Sequence, residues 1–258
     1  MSLADEHLLT DAAKQLFPDS RSFTWNLVST RLTQFPYFDE ILGHPDWKGR
    51  KILDFGGNVG TFLESAGDRV AHEDYWCIDL NPAVVEQGRL TYPRAHFVHF
   101  NRYGPQYNPG GIPNLPLPDC GVQFDFILGF SVFTHVDLAE MVELVGSLRA
   151  MLAPGGVLAF TFFEPRYDRS LSDPDLPRGT TALHNLGPRG REKAVQQARW
   201  YAVADDVLYL EPRTREGTAL ENYCSFFTAE LMTSVFPGAE VHPPVQREWQ
   251  HCCVLRGS

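Results

Sequence analysis

The residues with the clearest chemical potential lie in Lys51-Ile-Leu-Asp54-Phe-Gly56-Gly57-Asn58-Val-Gly60-Thr-Phe and in Asp74-Tyr-Trp-Cys-Ile-Asp79. The first stretch reads as a short buried strand, a glycine turn and the start of a helix. Glycines suit such a turn because the chain must bend sharply and let a ligand approach without a Cβ in the way. The helix behind the turn is expected to offer free N–H groups to a polar or anionic ligand. The second stretch reads as a strand ending in a carboxylate about 20 positions after the turn, the place from which a ribose diol is read in open α/β sheets. A third segment, Phe124-Asp-Phe-Ile-Leu-Gly-Phe130-Ser131-Val-Phe-Thr-His135, carries a serine and a histidine just past a strand. With a pKa near 6.5, a histidine there can take a proton at neutral pH.

These residues need a parallel sheet to bring them together, and the pattern from Lys51 onward supplies one. Strands are expected at Ile52–Phe55, up to Asp79, at His96–Phe100, at Phe124–Phe130 and at Val157–Phe163, with helices between them. Asn81-Pro82 and Asp137-Leu-Ala-Glu140 have the composition of helix starts, and Ala153-Pro-Gly-Gly of a helix stop. Thr228 caps a further helix, and closing strands follow at Ala239–His242 and His251–Leu255. Carboxyl ends of such strands gather the glycine turn and Asp79 at one crevice, which a dinucleotide or another adenosine-containing ligand could fill.

The order of these motifs, from about Lys51 to Phe163, resembles the class I S-adenosylmethionine (SAM) dependent methyltransferases. The turn fits Asp-x-Gly-x-x-x-Gly, with Asp54 leading it and Asn58 in place of a frequent middle glycine. It does not fit the Gly-x-Gly-x-x-Gly of dinucleotide enzymes. The resemblance implies a doubly wound, mostly parallel, seven-stranded Rossmann-like α/β sheet with SAM as cofactor. Asp54 and Gly56, with Gly57, Asn58 and Gly60, would then meet the methionine part. Asp79 would hold the ribose, Leu80 would pack on adenine, Asn101 would face the adenine edge, and Phe130 and Ser131 would line the cofactor's other side. His135 is the leading candidate for a general base and His184 the second. Gly129-Phe130-Ser131-Val132 stands where amino-nitrogen enzymes carry Asn/Asp-Pro-Pro-aromatic and where catechol-type enzymes hold a metal with carboxylates. The resemblance therefore implies a metal-free displacement onto an oxygen or nitrogen, rather than a carbon, of a small-molecule acceptor. A peptide or protein acceptor and a non-catalytic SAM-binding sensor or accessory role are the alternatives.

Composition narrows the partners. With 22 basic against 32 acidic residues the net charge is −10, the opposite of the basic surface on which nucleic-acid affinity rests. No apolar run reaches membrane-span length, and the acidic start lacks the pattern of a secretory signal, so neither a membrane nor a nucleic acid is expected as partner and the location is expected to be cytoplasmic. The cysteines include no C-x-x-C pair, and they read as reduced and buried. Residues 1–47 are amphipathic and read as an N-terminal helical lid. Residues 48–163 and 223–258 read as the SAM-binding domain. The polar, proline-rich stretch 164–222 reads as a substrate cap inserted after the fifth strand, with a helix-like part at Glu192–Trp200 and a strand-like part at Val207–Leu210.

Overall fold

The computed structural model describes residues 34–105, 107–167, 207–210, 224–246 and 248–257, the stretch 207–210 by its backbone alone. Seven strands form one sheet: β1 (Ile52–Phe55), β2 (Tyr75–Asp79), β3 (His96–His99), β4 (Phe124–Gly129), β5 (Leu152–Phe162), β8 (Glu240–His242) and β9 (His251–Arg256). Their order is β3-β2-β1-β4-β5-β9-β8. The first five are parallel, and β9 runs antiparallel between β5 and β8. This is the expected Rossmann-like, mostly parallel sheet. Strand order reverses between β1 and β4, so the ligand crevice opens at their carboxyl ends.

Helices cover both faces because the strand residues alternate between two cores. Phe124, Leu158, Phe160 and Phe162 pack with the helix Leu138–Ala150 (α4) and with Met232 of Ala229–Val235 (α5). Ile52, Tyr75, Cys77 and Ala159 pack on the other face with Gln34–Ile41 (α1), Thr61–Ala66 (α2) and Pro82–Thr91 (α3). The caps form as their residue types require. The side chains of Asn81, Asp137 and Thr228 accept from the N–H groups of Ala83, Glu140 and Leu231. Cys77, Cys252 and Cys253 are buried and unpaired, as expected.

Two boundaries and one strand depart from the sequence reading. Helix α2 begins at Thr61 rather than near Val59, because Asn58 and Gly60 both take positive φ, 56° and 92°. Strand β5 begins at Leu152, not Val157: Leu152 pairs with Phe124, and Pro154-Gly155-Gly156 bulges outward before Val157 pairs with Phe126. Val207–Leu210 (β6) is a strand as expected, and its partner is Cys224–Phe227 (β7), antiparallel, a strand the sequence pattern does not suggest. Glu192–Trp200, His184 and residues 1–33 lie outside the described residues. Among the described residues, α1 is packed into the core, with Tyr37 and Phe38 fully buried. No helix among them is long and apolar enough to cross a membrane.

Candidate active site

The glycine turn is built so that two strand ends and one loop close on it. Gly56, at φ 73°, donates to the carbonyl of Ile78 at 2.7 Å. A Cβ on Gly56 would lie 2.3 Å from Cγ2 of Val132, so the loop leaving β4 rests directly on the turn. A Cβ on Gly57 would lie 2.4 Å from the carboxyl of Asp54, which sits beneath it. Positive φ is costly for most side chains but tolerable for asparagine, which explains why Asn58 can stand in the turn.

The turn satisfies its own donors, contrary to the expectation of N–H groups held open for a ligand. The N–H of Asn58 goes to Oδ2 of Asp79 at 3.0 Å, and that of Val59 to Oδ1 of Asn58 at 2.8 Å. Those of Gly60 and Thr61 go to the carbonyl of Gly57. A pyrophosphate needs such donors at the helix start. A ligand that meets this turn through close approach and presents hydroxyls to Asp79 does not.

Asp79 ends β2 half-buried, with Oδ1 accepting from Asn81 N–H at 2.8 Å and Oδ2 from Asn58 N–H. A carboxylate has about four acceptor sites, so two remain for a diol. Burial raises its pKa, and those two backbone bonds oppose the rise. Asp54 is placed differently from the expectation of direct ligand contact. Its carboxyl is 1% exposed and accepts from the Tyr75 hydroxyl at 2.6 Å. Burial lifts its pKa to about 7; the Tyr75 bond works against this and the charge of Asp79 adds to it. Asp54 is thus the floor of the turn, acting on the crevice through Gly57 and through its charge.

Leu80 is half-buried and lies against Gly104, where a Cβ would come within 2.8 Å of its Cδ1. Asn101 is exposed at the start of the loop after β3, its side chain accepting from Asn108 at 3.1 Å and its carbonyl from Ile112 N–H. Phe130 is buried and meets Tyr37 and Phe38 of α1 edge-on, at 5.6 and 6.1 Å between ring centres, so it is a wall of the core rather than an open face. Ser131 is half-buried at φ 60° and donates its N–H to the Thr161 hydroxyl at 2.7 Å. His135 closes the short turn Phe133–His135 ahead of α4, half-buried and edge-on to Tyr107 at 5.6 Å.

Several residues of this region carry no short motif. Arg102, 3% exposed, grips Glu143 through two nitrogens at 2.8 and 2.7 Å and Glu140 at 3.0 Å, tying the loop after β3 to α4. Glu164, the first residue of the expected cap, is buried in the domain. It accepts from Ala229 N–H at the start of α5, at 2.6 Å, and from Arg166. His251 stands opposite Phe162 at the carboxyl rim, edge-on to Tyr167 at 4.7 Å. Its Nδ1 is buried without a hydrogen-bond partner, and burial lowers its pKa to about 4. A buried polar residue at a strand end announces that it needs a partner, but not which one.

Residues 53–158 match the family model described as a methyltransferase domain. The sheet these residues build has the class I methyltransferase fold, the fold of solved SAM-dependent methyltransferases. This domain contains the glycine turn, Asp79, the loop after β3, Ser131 and His135. Solved structures share the fold. A SAM-bound amino pentose methyltransferase from Micromonospora echinaspora superposes with a TM-score of 0.54 at 16% identity, covering 92% of this chain and 95% of its own. A SAM-dependent methyltransferase from Clostridium acetobutylicum gives 0.52 at 10% identity, over 99% of both chains. The glycopeptide N-methyltransferase MtfA, complexed with S-adenosylhomocysteine (SAH), gives 0.52 at 13%, over 90% and 91%. No curated protein matches the chain.

Proposed function

We propose that the protein transfers the methyl group of SAM to an oxygen or nitrogen of a small-molecule acceptor, by a metal-free, in-line displacement in the cytoplasm. The observation that carries this reading is the glycine turn in which the N–H groups of Asn58, Val59, Gly60 and Thr61 are engaged while Asp79 keeps acceptor sites open. That arrangement suits a ribose diol beside an uncharged or cationic group, not a pyrophosphate. Among the described residues no three His, Cys, Asp or Glu side chains gather as a metal group would require. Enzymes of the same fold include an amino pentose methyltransferase, a glycopeptide N-methyltransferase and a putative O-methyltransferase, which supports a nitrogen or oxygen acceptor.

Bound SAM supplies a methyl carbon made electrophilic by its sulfonium, whose carbon–sulfur electrons stay on sulfur when the acceptor's lone pair forms the new bond. The chain's contribution is orientation and proton removal. Asp79 fixes the ribose, and the missing Cβ atoms of Gly56 and Gly57 let Val132 and the Asp54 carboxyl pack against the turn that borders it. Holding both partners in a near-attack geometry supplies about 7–11 kcal/mol of barrier lowering. His135, on the same loop, takes the proton released by a hydroxyl or ammonium acceptor. His184 is the alternative base, and residues 164–222 with the N-terminal helices 1–47 complete the acceptor pocket around the domain 48–163 and 223–258.

Calorimetric titration with SAH, SAM, NAD and NADP tests the reading. SAH and SAM bind, stabilise the fold by about 2.7 kcal/mol at a hundredfold excess over Kd and so raise the melting temperature, while the nicotinamide cofactors do nothing. Stabilisation by NAD alone would overturn it. Methyl-labelled SAM with a panel of amine and hydroxyl small molecules then distinguishes an enzyme, which labels one of them, from a protein that only binds.

A further inference from the structure

A polar chain runs beneath the β4 end of the crevice. Ser131 donates its N–H to Oγ1 of Thr161 at 2.7 Å, and the Thr161 hydroxyl donates its single proton to Oε1 of Gln250 at 2.6 Å. The carbonyl of Gln250 in turn accepts from the Tyr37 hydroxyl at 2.8 Å. Thr161 and Tyr37 are fully buried, and Gln250 nearly so. Its direction from Ser131 to Gln250 is fixed, because Ser131 N–H can only donate, and Tyr37 donates into Gln250 from the opposite end. The Thr161 oxygen must therefore accept, and its proton must leave toward Gln250.

The far end of this chain carries strain. Ser131 takes φ 60°, a conformation that a serine adopts only where its surroundings fix it. From there the backbone turns to set Val132 on Gly56 and leads into the short turn Phe133–His135. Nothing else near Ser131 holds its N–H: the serine's own hydroxyl meets Thr134, and Thr134 meets the Ser131 carbonyl.

We propose that Thr161 is a positioning residue of the methyltransferase, its hydroxyl oriented by Gln250 so that the Ser131–His135 loop lies across the glycine turn and shapes the cofactor's site. This rests on the SAM reading. It adds that β9 and α1, through Gln250 and Tyr37, set the geometry of a loop that neither of them adjoins in sequence.

The test uses the full chain and SAH as probe, with affinity by calorimetry, melting temperature, and amide hydrogen exchange of residues 131–135. Thr161→Val leaves the Ser131 N–H without an acceptor, and SAH affinity falls about tenfold. Exchange in the loop speeds up, and Thr161→Ser returns both to near wild type. Gln250→Leu, which leaves the hydroxyl in place but unoriented, gives the same pattern more weakly and serves if Thr161→Val does not fold. A Thr161→Val protein that melts earlier yet binds SAH as wild type would reduce Thr161 to a core residue. So would a Thr161→Ser protein that fails to recover. Wild-type protein that binds no SAH would instead overturn the cofactor reading itself.

Discussion

At the β1–β2 side of the crevice, the turn and Asp79 are joined by a backbone N–H bond spanning 21 residues, Asn58 to Asp79. At the β4–β5 side, Ser131, Thr161, Gln250, Glu164 and Ala229 are joined by side chains reaching across 30, 89 and 65 residues. The first side is fixed by the local conformation of one supersecondary unit and tolerates change elsewhere in the chain. The second exists only when distant strands are already in register.

The largest expected effect breaks the β1–β2 side through its floor. The Asp54 carboxyl has its pKa raised from 3.8 to about 7. Between those values the folded protein keeps a proton that the unfolded chain has released. The stability this proton represents is therefore full below about pH 4 and lost as pH rises through about 7. The loss is on the order of a few kcal/mol. Asp54→Asn, which cannot ionise, escapes it, so urea unfolding should show the variant gaining on wild type from pH 5 to pH 8. A constant difference across that range would mean that the carboxyl is charged throughout.

On the other side, His135→Ala should lower turnover by roughly a hundredfold while SAH affinity stays near normal, and the acidic limb of the pH–rate profile should vanish. A variant that keeps that limb assigns the proton to another group. Asp79→Ala should weaken SAH binding by roughly thirtyfold, from lost charge-assisted bonds, without unfolding the protein. Unchanged calorimetric affinity would remove the diol from Asp79. The smallest effect sharpens the contrast: Ser131→Gly, at φ 60°, should alter stability by under about 0.5 kcal/mol, whereas Ser131→Val should cost about 2 kcal/mol.

The same contrast governs what the sequence makes legible. Strand β1, the turn, Asp79 and the caps at Asn81, Asp137 and Thr228 act through neighbours within a few residues or one βαβ unit, so residue type and spacing carry them. The bulge of β5 escapes because Ala153-Pro-Gly-Gly reads equally as a helix stop, and only the pairing of Leu152 with Phe124 turns it into strand. The open N–H groups expected at the turn fail for a local reason: Asn58 uses both its backbone and its side chain to close them. Thr161, Glu164 and His251 sit in apolar strand sequence or at its edge, where a polar residue signals burial without naming a partner. Strand β7 escapes because its partner β6 precedes it across the stretch 211–223.

The hydrogen bond from Tyr37 to Gln250 spans 213 residues. Loop-closure entropy must be overcome before a contact so far apart in sequence rewards the chain, which places it late in folding. Phe35 and Phe38 can pack on Phe62 and Trp47 as soon as the next helix forms, and on Phe130 once β4 is in place. The Tyr37 hydroxyl alone waits for Gln250, so the clasp seals a helix that local packing has already seated.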